Sequence, residues 1–200
     1  MNIPSKLIEN AVIQISRLPG IGKKSALRIA LHLLKENEQT TKDISQAILN
    51  LRTQIQYCKH CQNIADTEIC SICNNPKRDN TVVCVVENIT DVLAIENTVQ
   101  YNGLYHVLGG VISPLNGVSP EDLKIEALLN RLPNSEIKEI ILALSATMDA
   151  DMTAFYLSKK LQPFQVKITT IARGVPVGSE LEYTDEITLA RSIQNRSEYK

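Results

Sequence analysis

Four cysteines, Cys58, Cys61, Cys70 and Cys73, fall as two Cys-x-x-Cys pairs separated by eight residues. Each pair can set two thiolates on one side of a tetrahedral ion through a tight turn, the usual way a chain builds a structural zinc site. The interval is shorter than the roughly fifteen to twenty residues of many zinc ribbons, so a compact knuckle is expected. Four thiolates fill the coordination sphere and leave no position for water. The expected role is therefore to organise the fold, with one structural zinc per chain. Four buried or redox-active thiols are the competing reading. His60 lies inside the first pair and is expected to be solvated, and Cys84, among valines, to be a small buried apolar residue.

A second group of residues suits phosphate. Leu18-Pro19-Gly20-Ile21-Gly22 has the apolar-Pro-Gly-apolar-Gly pattern of a helix-hairpin-helix. Gly20 and Gly22 permit tight backbone geometry, so that N–H groups at the start of the next helix can meet a phosphate along the positive end of its dipole. Arg17, Lys23, Lys24 and Arg28 flank this turn, and Lys24 and Arg28 are four apart on one helical face. These features predict DNA binding without sequence preference. A Walker A loop is excluded, because Lys24 stands where Ser or Thr is needed and Arg17 where the first Gly belongs.

A third group is acidic. Glu87 ends an apolar run, and Asp149-Ala150-Asp151 follows another, Ile140 to Leu144. Carboxylates at the carboxyl ends of parallel strands stand where such sheets bind ligands, and a Glu with an Asp-x-Asp pair suits Mg²⁺. The pattern is that of a Toprim domain. Acidic caps at strand and helix ends would look the same, so the residues leave both open.

The elements that must carry these groups follow from hydrophobic period. Three-and-four spacing predicts helices through Leu7 to Ile15, from about Lys23 to Leu34, and from Ile44 to Ile55. From Thr81 the pattern changes. The runs 82–86, 105–108, 139–144 and 166–171 read as strands, alternating with helical stretches near 91–101, 120–131 and 152–161. That alternation implies a mainly parallel sheet.

Composition agrees with a globular chain of 200 residues, with 44% apolar and 22% charged residues. No apolar run is long enough for a membrane helix. The start, Met1 to Lys6, resembles no signal peptide, so a cytoplasmic address is expected, where thiols stay reduced and favour metal over disulfides. The net charge of −1 hides an asymmetry: residues 1–60 carry nine Lys or Arg against four Asp or Glu, and the remainder twelve against eighteen. The basic end holds the hairpin.

With hairpin, knuckle and acidic sheet in this order, the chain resembles the bacterial RecR recombination mediators over almost its whole length. The stretches that carry the resemblance are 18–22, the four cysteines, Val85-Val86-Glu87, Tyr105 to Gly110, Ile112 to Leu115, Pro120 to Leu123, Gly174 to Gly178 and Leu181-Glu182-Tyr183. It departs from the family at 145–151, where Ser-Ala-Thr-Met-Asp-Ala-Asp replaces the usual Asn-Pro-Thr and Glu-Gly-Glu, so that the acidic pair Asp149 and Asp151 has shorter side chains and lacks the flexible glycine between them.

The expected fold is α+β with several modules: a helix-hairpin-helix region (1–56), a four-cysteine zinc finger (57–79), an α/β Toprim domain (80–175) and a C-terminal segment (176–200). The resemblance implies a non-enzymatic repair factor, a dimeric or tetrameric ring-like clamp that works with RecO and RecF to help place RecA on gapped or single-stranded DNA. Its DNA contacts transfer to Lys24 and Arg28, with Lys23 added. The alternative is a Mg²⁺-dependent nuclease or primase-like nucleotidyl transferase built on Glu87, Asp149 and Asp151.

Overall fold

The computed structural model describes residues 3–196 and Glu198; Met1 and Asn2, and Ser197, Tyr199 and Lys200 of the C-terminal segment, lie outside the described residues. The chain divides into two compact units, 1–55 and 56–200.

The first unit is helical. Helices α1 (Lys6–Ile15) and α2 (Lys23–Leu33) match the first two periodic stretches, and α3 (Glu38–Gln54) starts six residues before the expected Ile44. Small side chains bring α1 and α2 together: Val12, Ala26 and Ala30 are its buried residues, with Ile8, Ala11, Ile15 and Leu27 packed around them. Helix α3 opens on Asn37, whose side chain accepts from the Thr40 N–H at 2.7 Å, and it buries none of its residues.

The second unit begins with a small antiparallel ribbon, β1 (Gln56–Tyr57) with β2 (Ile64–Ala65), which carries the knuckle. Then follow β3 (Asp79–Val86), α4 (Ile89–Glu96), β4 (Gly103–Val107), α5 (Ile125–Arg131), β5 (Glu139–Leu142), α6 (Met148–Leu161), β6 (Lys167–Thr170) and α7 (Glu186–Gln194). The four longer strands are all parallel, in the order β4-β3-β5-β6, with Cys84 opposite both Tyr105 and Ile141.

Strand β3 is buried on both faces, as a continuous Val-rich run requires. Alternate residues serve opposite sides: Val83 and Val85 meet Leu128 of α5 and Leu157 and Leu161 of α6, while Cys84 and Val86 meet Val92 of α4. Ile72 of the knuckle packs against both layers and against the cysteines, so the knuckle and sheet share one core. The turn after β3 is set by a capping box, in which Asn88 accepts from the Thr90 N–H at 2.9 Å and Asp91 from the Asn88 N–H at 3.0 Å.

In the second unit three helices differ from the periodic reading. Helix α4 stops at Glu96, because Asn97 closes it and Val99 then takes a left-handed φ of 57°. The single helix expected over 120–131 is interrupted at Leu123, which is extended and buries its side chain. Helix α6 starts four residues before Met152, since Thr147 caps it by accepting from the Ala150 N–H at 3.2 Å. That moves Asp149 and Asp151 from a loop into the first helical turn.

Candidate metal centre and nucleic-acid interface

The knuckle brings all four predicted cysteines together. Their sulfur atoms lie within 4.8 Å of one another, and they form the one such group of three or more metal-ligating side chains among the described residues. Two backbone hydrogen bonds close the first turn, Cys58 N–H to the Asn63 carbonyl at 2.7 Å and Gln62 N–H to the Cys58 carbonyl at 2.9 Å. Gln62 adopts a φ of 61°, a conformation that L side chains rarely take. Backbone N–H groups also face sulfur: Cys70 N–H donates to Cys58 Sγ at 3.3 Å, and Cys73 N–H to Cys70 Sγ at 3.4 Å. Such donors favour thiolate over thiol.

Cys61 and Cys70 Sγ atoms are 3.5 Å apart. Their hydrogen bond pushes the Cys70 thiol down and the Cys61 thiol up. A divalent ion would take both as thiolates. Three of the four cysteines are buried and none forms a disulfide. The donor set fits a tetrahedral structural zinc. His60 is exposed and stands outside the group, and Cys84 is buried in the sheet, where desolvation pushes its thiol up to about 12.

In the first unit, Leu18 to Ile21 forms the tight turn between α1 and α2, with Ile21 N–H donating to the Leu18 carbonyl at 3.1 Å. Gly20 has a φ of 77°, which is where a glycine is needed. Gly22 is extended and caps α2 with no side-chain bond, which leaves the first N–H groups of that helix without a side-chain acceptor. Lys23, Lys24 and Arg28 are exposed. Among the described residues none of them is ion-paired, whereas Arg17 donates to Gln14 at 3.1 Å. Lys24 and Arg28 line one side of α2 together, opposite the face that buries Ala26 and Ala30.

The acids behave differently. Glu87, at the carboxyl end of β3, accepts from the Ser145 N–H at 2.7 Å and so ties the ends of β3 and β5 together. Asp151 is held by two guanidinium groups, Arg173 at 2.6 Å and Arg191 at 3.6 Å, which join the first turn of α6 to the segment after β6 and to α7. Arg173 also donates to the Ser145 carbonyl at 3.4 Å. Glu87, Asp149 and Asp151 thus share one end of the sheet without converging their oxygens into a ligand cluster among the described residues. The two arginines were invisible to periodicity, because each lies on a separate segment far along the chain from Asp151.

Family models describe each part of the chain in turn: the RecR helix-hairpin-helix over 8–52, the RecR four-cysteine zinc finger domain over 55–75, a Toprim domain over 81–172 and the RecR C-terminal region over 174–197. The recombination protein RecR of Amoebophilus asiaticus is 59% identical over 199 residues, 100% of each chain. The chain belongs to the RecR family. The RecR of Cytophaga hutchinsonii is 58% identical, covering 98% of this chain and 97% of the relative. That of Porphyromonas gingivalis is 53% identical, covering 98% and 94%. The expected α+β fold with hairpin, four-cysteine knuckle and parallel Toprim sheet is therefore the fold observed. Among the described residues no helix is long and apolar enough to cross a membrane.

Proposed function

We propose that this chain is a non-enzymatic DNA-binding mediator of recombinational repair, organised as hairpin region 1–56, zinc finger 57–79, Toprim domain 80–175 and C-terminal segment 176–200. In this reading it works in the cytoplasm with RecO and RecF to help load RecA on gapped or single-stranded DNA, as a dimeric or tetrameric ring-like clamp. RecR family membership supports that reading. The observation that carries the DNA-binding part is the hairpin: exposed Lys23, Lys24 and Arg28, free of ion pairs among the described residues, next to the start of α2, whose first N–H groups have no side-chain cap. Lysines held free of carboxylates retain their full attraction for phosphate.

Cys58, Cys61, Cys70 and Cys73 hold the zinc, which contributes folding energy and no chemistry. The Toprim acids serve the fold and partner contacts. Mg²⁺ at Asp151 would have to displace two guanidinium partners, which argues against the nuclease or nucleotidyl transferase reading.

The test is salt-dependent DNA binding by the full chain. Lys24→Ala with Arg28→Ala lowers affinity at least tenfold at low salt and reduces the slope of log K against log salt by about two. Unchanged binding in that variant removes the hairpin assignment. Retention of circular over linear DNA, together with solution mass, tests the ring.

A further inference from the structure

The four ligands of the zinc site are not equally protected. Cys58, Cys61 and Cys70 are 0%, 1% and 5% exposed, in a small buried cluster with Ala65, whereas Cys73 is only partly buried at its edge. The local chain explains the difference. From Cys70 to Asn75 it makes one tight turn, in which the Asn74 N–H donates to the Cys70 carbonyl at 3.0 Å and the Asn75 N–H to the Ile72 carbonyl at 3.3 Å. Ile72 packs into the core shared with the sheet, and Asn74, Asn75 and Pro76, which follow Cys73, are exposed. Solvent therefore meets the cluster at Cys73.

Peroxides oxidise a thiolate that they can reach, and a zinc ligand is a cysteine held as thiolate at neutral pH. Accessibility singles out Cys73. A reversible oxidation site also needs a second sulfur close by to trap the first product. The four sulfur atoms lie within 4.8 Å of one another, and the Cys73 N–H donates to Cys70 Sγ at 3.4 Å within the same turn. Cys84 has neither property, being 3% exposed in the sheet and outside the group.

We infer that Cys73 is a peroxide-oxidation site, resolved by Cys70 into a disulfide that opens the zinc knuckle. The inference rests on the zinc reading above. In the first step Cys73 Sγ attacks one oxygen of hydrogen peroxide, the O–O bond breaks and hydroxide leaves; the sulfur gives up two electrons and becomes a sulfenic acid. In the second, Cys70 Sγ attacks that sulfur, an S–S bond forms, the S–O bond breaks and a second hydroxide leaves. Two protons from solvent convert the hydroxides to water. Cys58 and Cys61 are then the remaining ligands, too few to hold the ion. The opening is felt in the sheet, because the Cys61 carbonyl accepts from the Val107 N–H of β4 at 2.8 Å.

The experiment treats the zinc-loaded full chain with graded hydrogen peroxide. A chromogenic chelator reads released zinc, and dimedone trapping with peptide mass spectrometry reads sulfenic acid and disulfide. The first dimedone adduct falls on Cys73, the linked pair is Cys70–Cys73, Cys84 stays unmodified, and dithiothreitol with added zinc reverses the change. Amide exchange at Val107 rises in step with zinc release. Cys73→His, which keeps a ligand but no thiol, releases zinc roughly tenfold more slowly. A first adduct on Cys58, Cys61 or Cys70 overturns the inference, as does a linked pair other than Cys70–Cys73, or zinc retained while free glutathione in the same tube is oxidised. These readings are made on the wild-type chain and stand whether or not the variant folds. The zinc reading fails separately, when the purified chain carries no zinc before peroxide is added.

Discussion

Among the described residues the helical unit keeps only Val12, Ala26 and Ala30 buried, whereas the unit from Gln56 onwards gathers its side chains into two layers around β3 and adds the cysteine cluster. The former also leaves Ile44, Ile48, Leu49 and Leu51 of α3 exposed. Apolar side chains are thus used in opposite ways. In the sheet they supply stability. In α3 they stand on the surface, where they contribute little to the unit's own folding. Stability and recognition are therefore separable by mutation.

The largest expected effect tests the sheet side of this contrast. Cys58→Ala, or stripping zinc with a chelator, destabilises the second unit by more than about 4 kcal/mol and lowers solubility, as read by thermal melting and by metal content. A chelated protein that melts as before would break the assignment of zinc to the fold. Next, Leu157→Ala, at a side chain with 0% exposure, costs about 3 kcal/mol in urea unfolding.

His106 gives a pH test. It is buried, its Nε2 lies 2.8 Å from the Lys124 carbonyl and its Nδ1 has no partner. Burial pushes the imidazole down to about 4. The unfolded group titrates near 6.5, so in acid the unfolded state takes up a proton that the folded state refuses. Stability is complete above pH 6.5 and falls between 6.5 and 4, by at most about 3 kcal/mol. Acid release of zinc acts on wild type and His106→Gln alike, so the difference in their stability slopes over this window isolates the imidazole. Equal slopes would remove the effect.

Smaller effects sharpen the comparison. Asp151→Asn weakens two partly exposed ion pairs, with about 1 kcal/mol or less of stability lost and faster amide exchange confined to α7. Ile48→Ala, 63% exposed, changes unfolding free energy by no more than about 0.5 kcal/mol. A loss like that of Leu157→Ala would show that the helical unit relies on α3 for its own stability.

Much of this was legible in the sequence, for reasons that are local. The cysteines announce themselves because all four ligands fall within a short span and their spacing is the coordination geometry. Helices α1 and α2 follow from period, and β3 from an unbroken Val-rich run. What escaped depends on pairs of distant residues or on caps. Thr147 decided where α6 begins, and with it that Asp149 and Asp151 lie on a helix. Arg173 and Arg191 reach Asp151 from separate segments, and no pattern along the chain links them. The burial of His106 follows from its strand and the loop laid over it, which an alternating pattern does not reveal.

Strand β4 lies at one margin of the sheet, yet three of its backbone groups are occupied from outside the sheet. Arg78 donates to the Gly103 carbonyl at 3.4 Å, Arg131 to the Tyr105 carbonyl at 2.9 Å, and the Val107 N–H donates to the Cys61 carbonyl at 2.8 Å. An exposed margin of this kind is a template for pairing with another chain, and here it is stoppered by two arginines and the metal loop. The loop that holds the cysteines therefore covers part of this margin as well as forming the knuckle. The opposite margin of the sheet is β6, Lys167–Thr170.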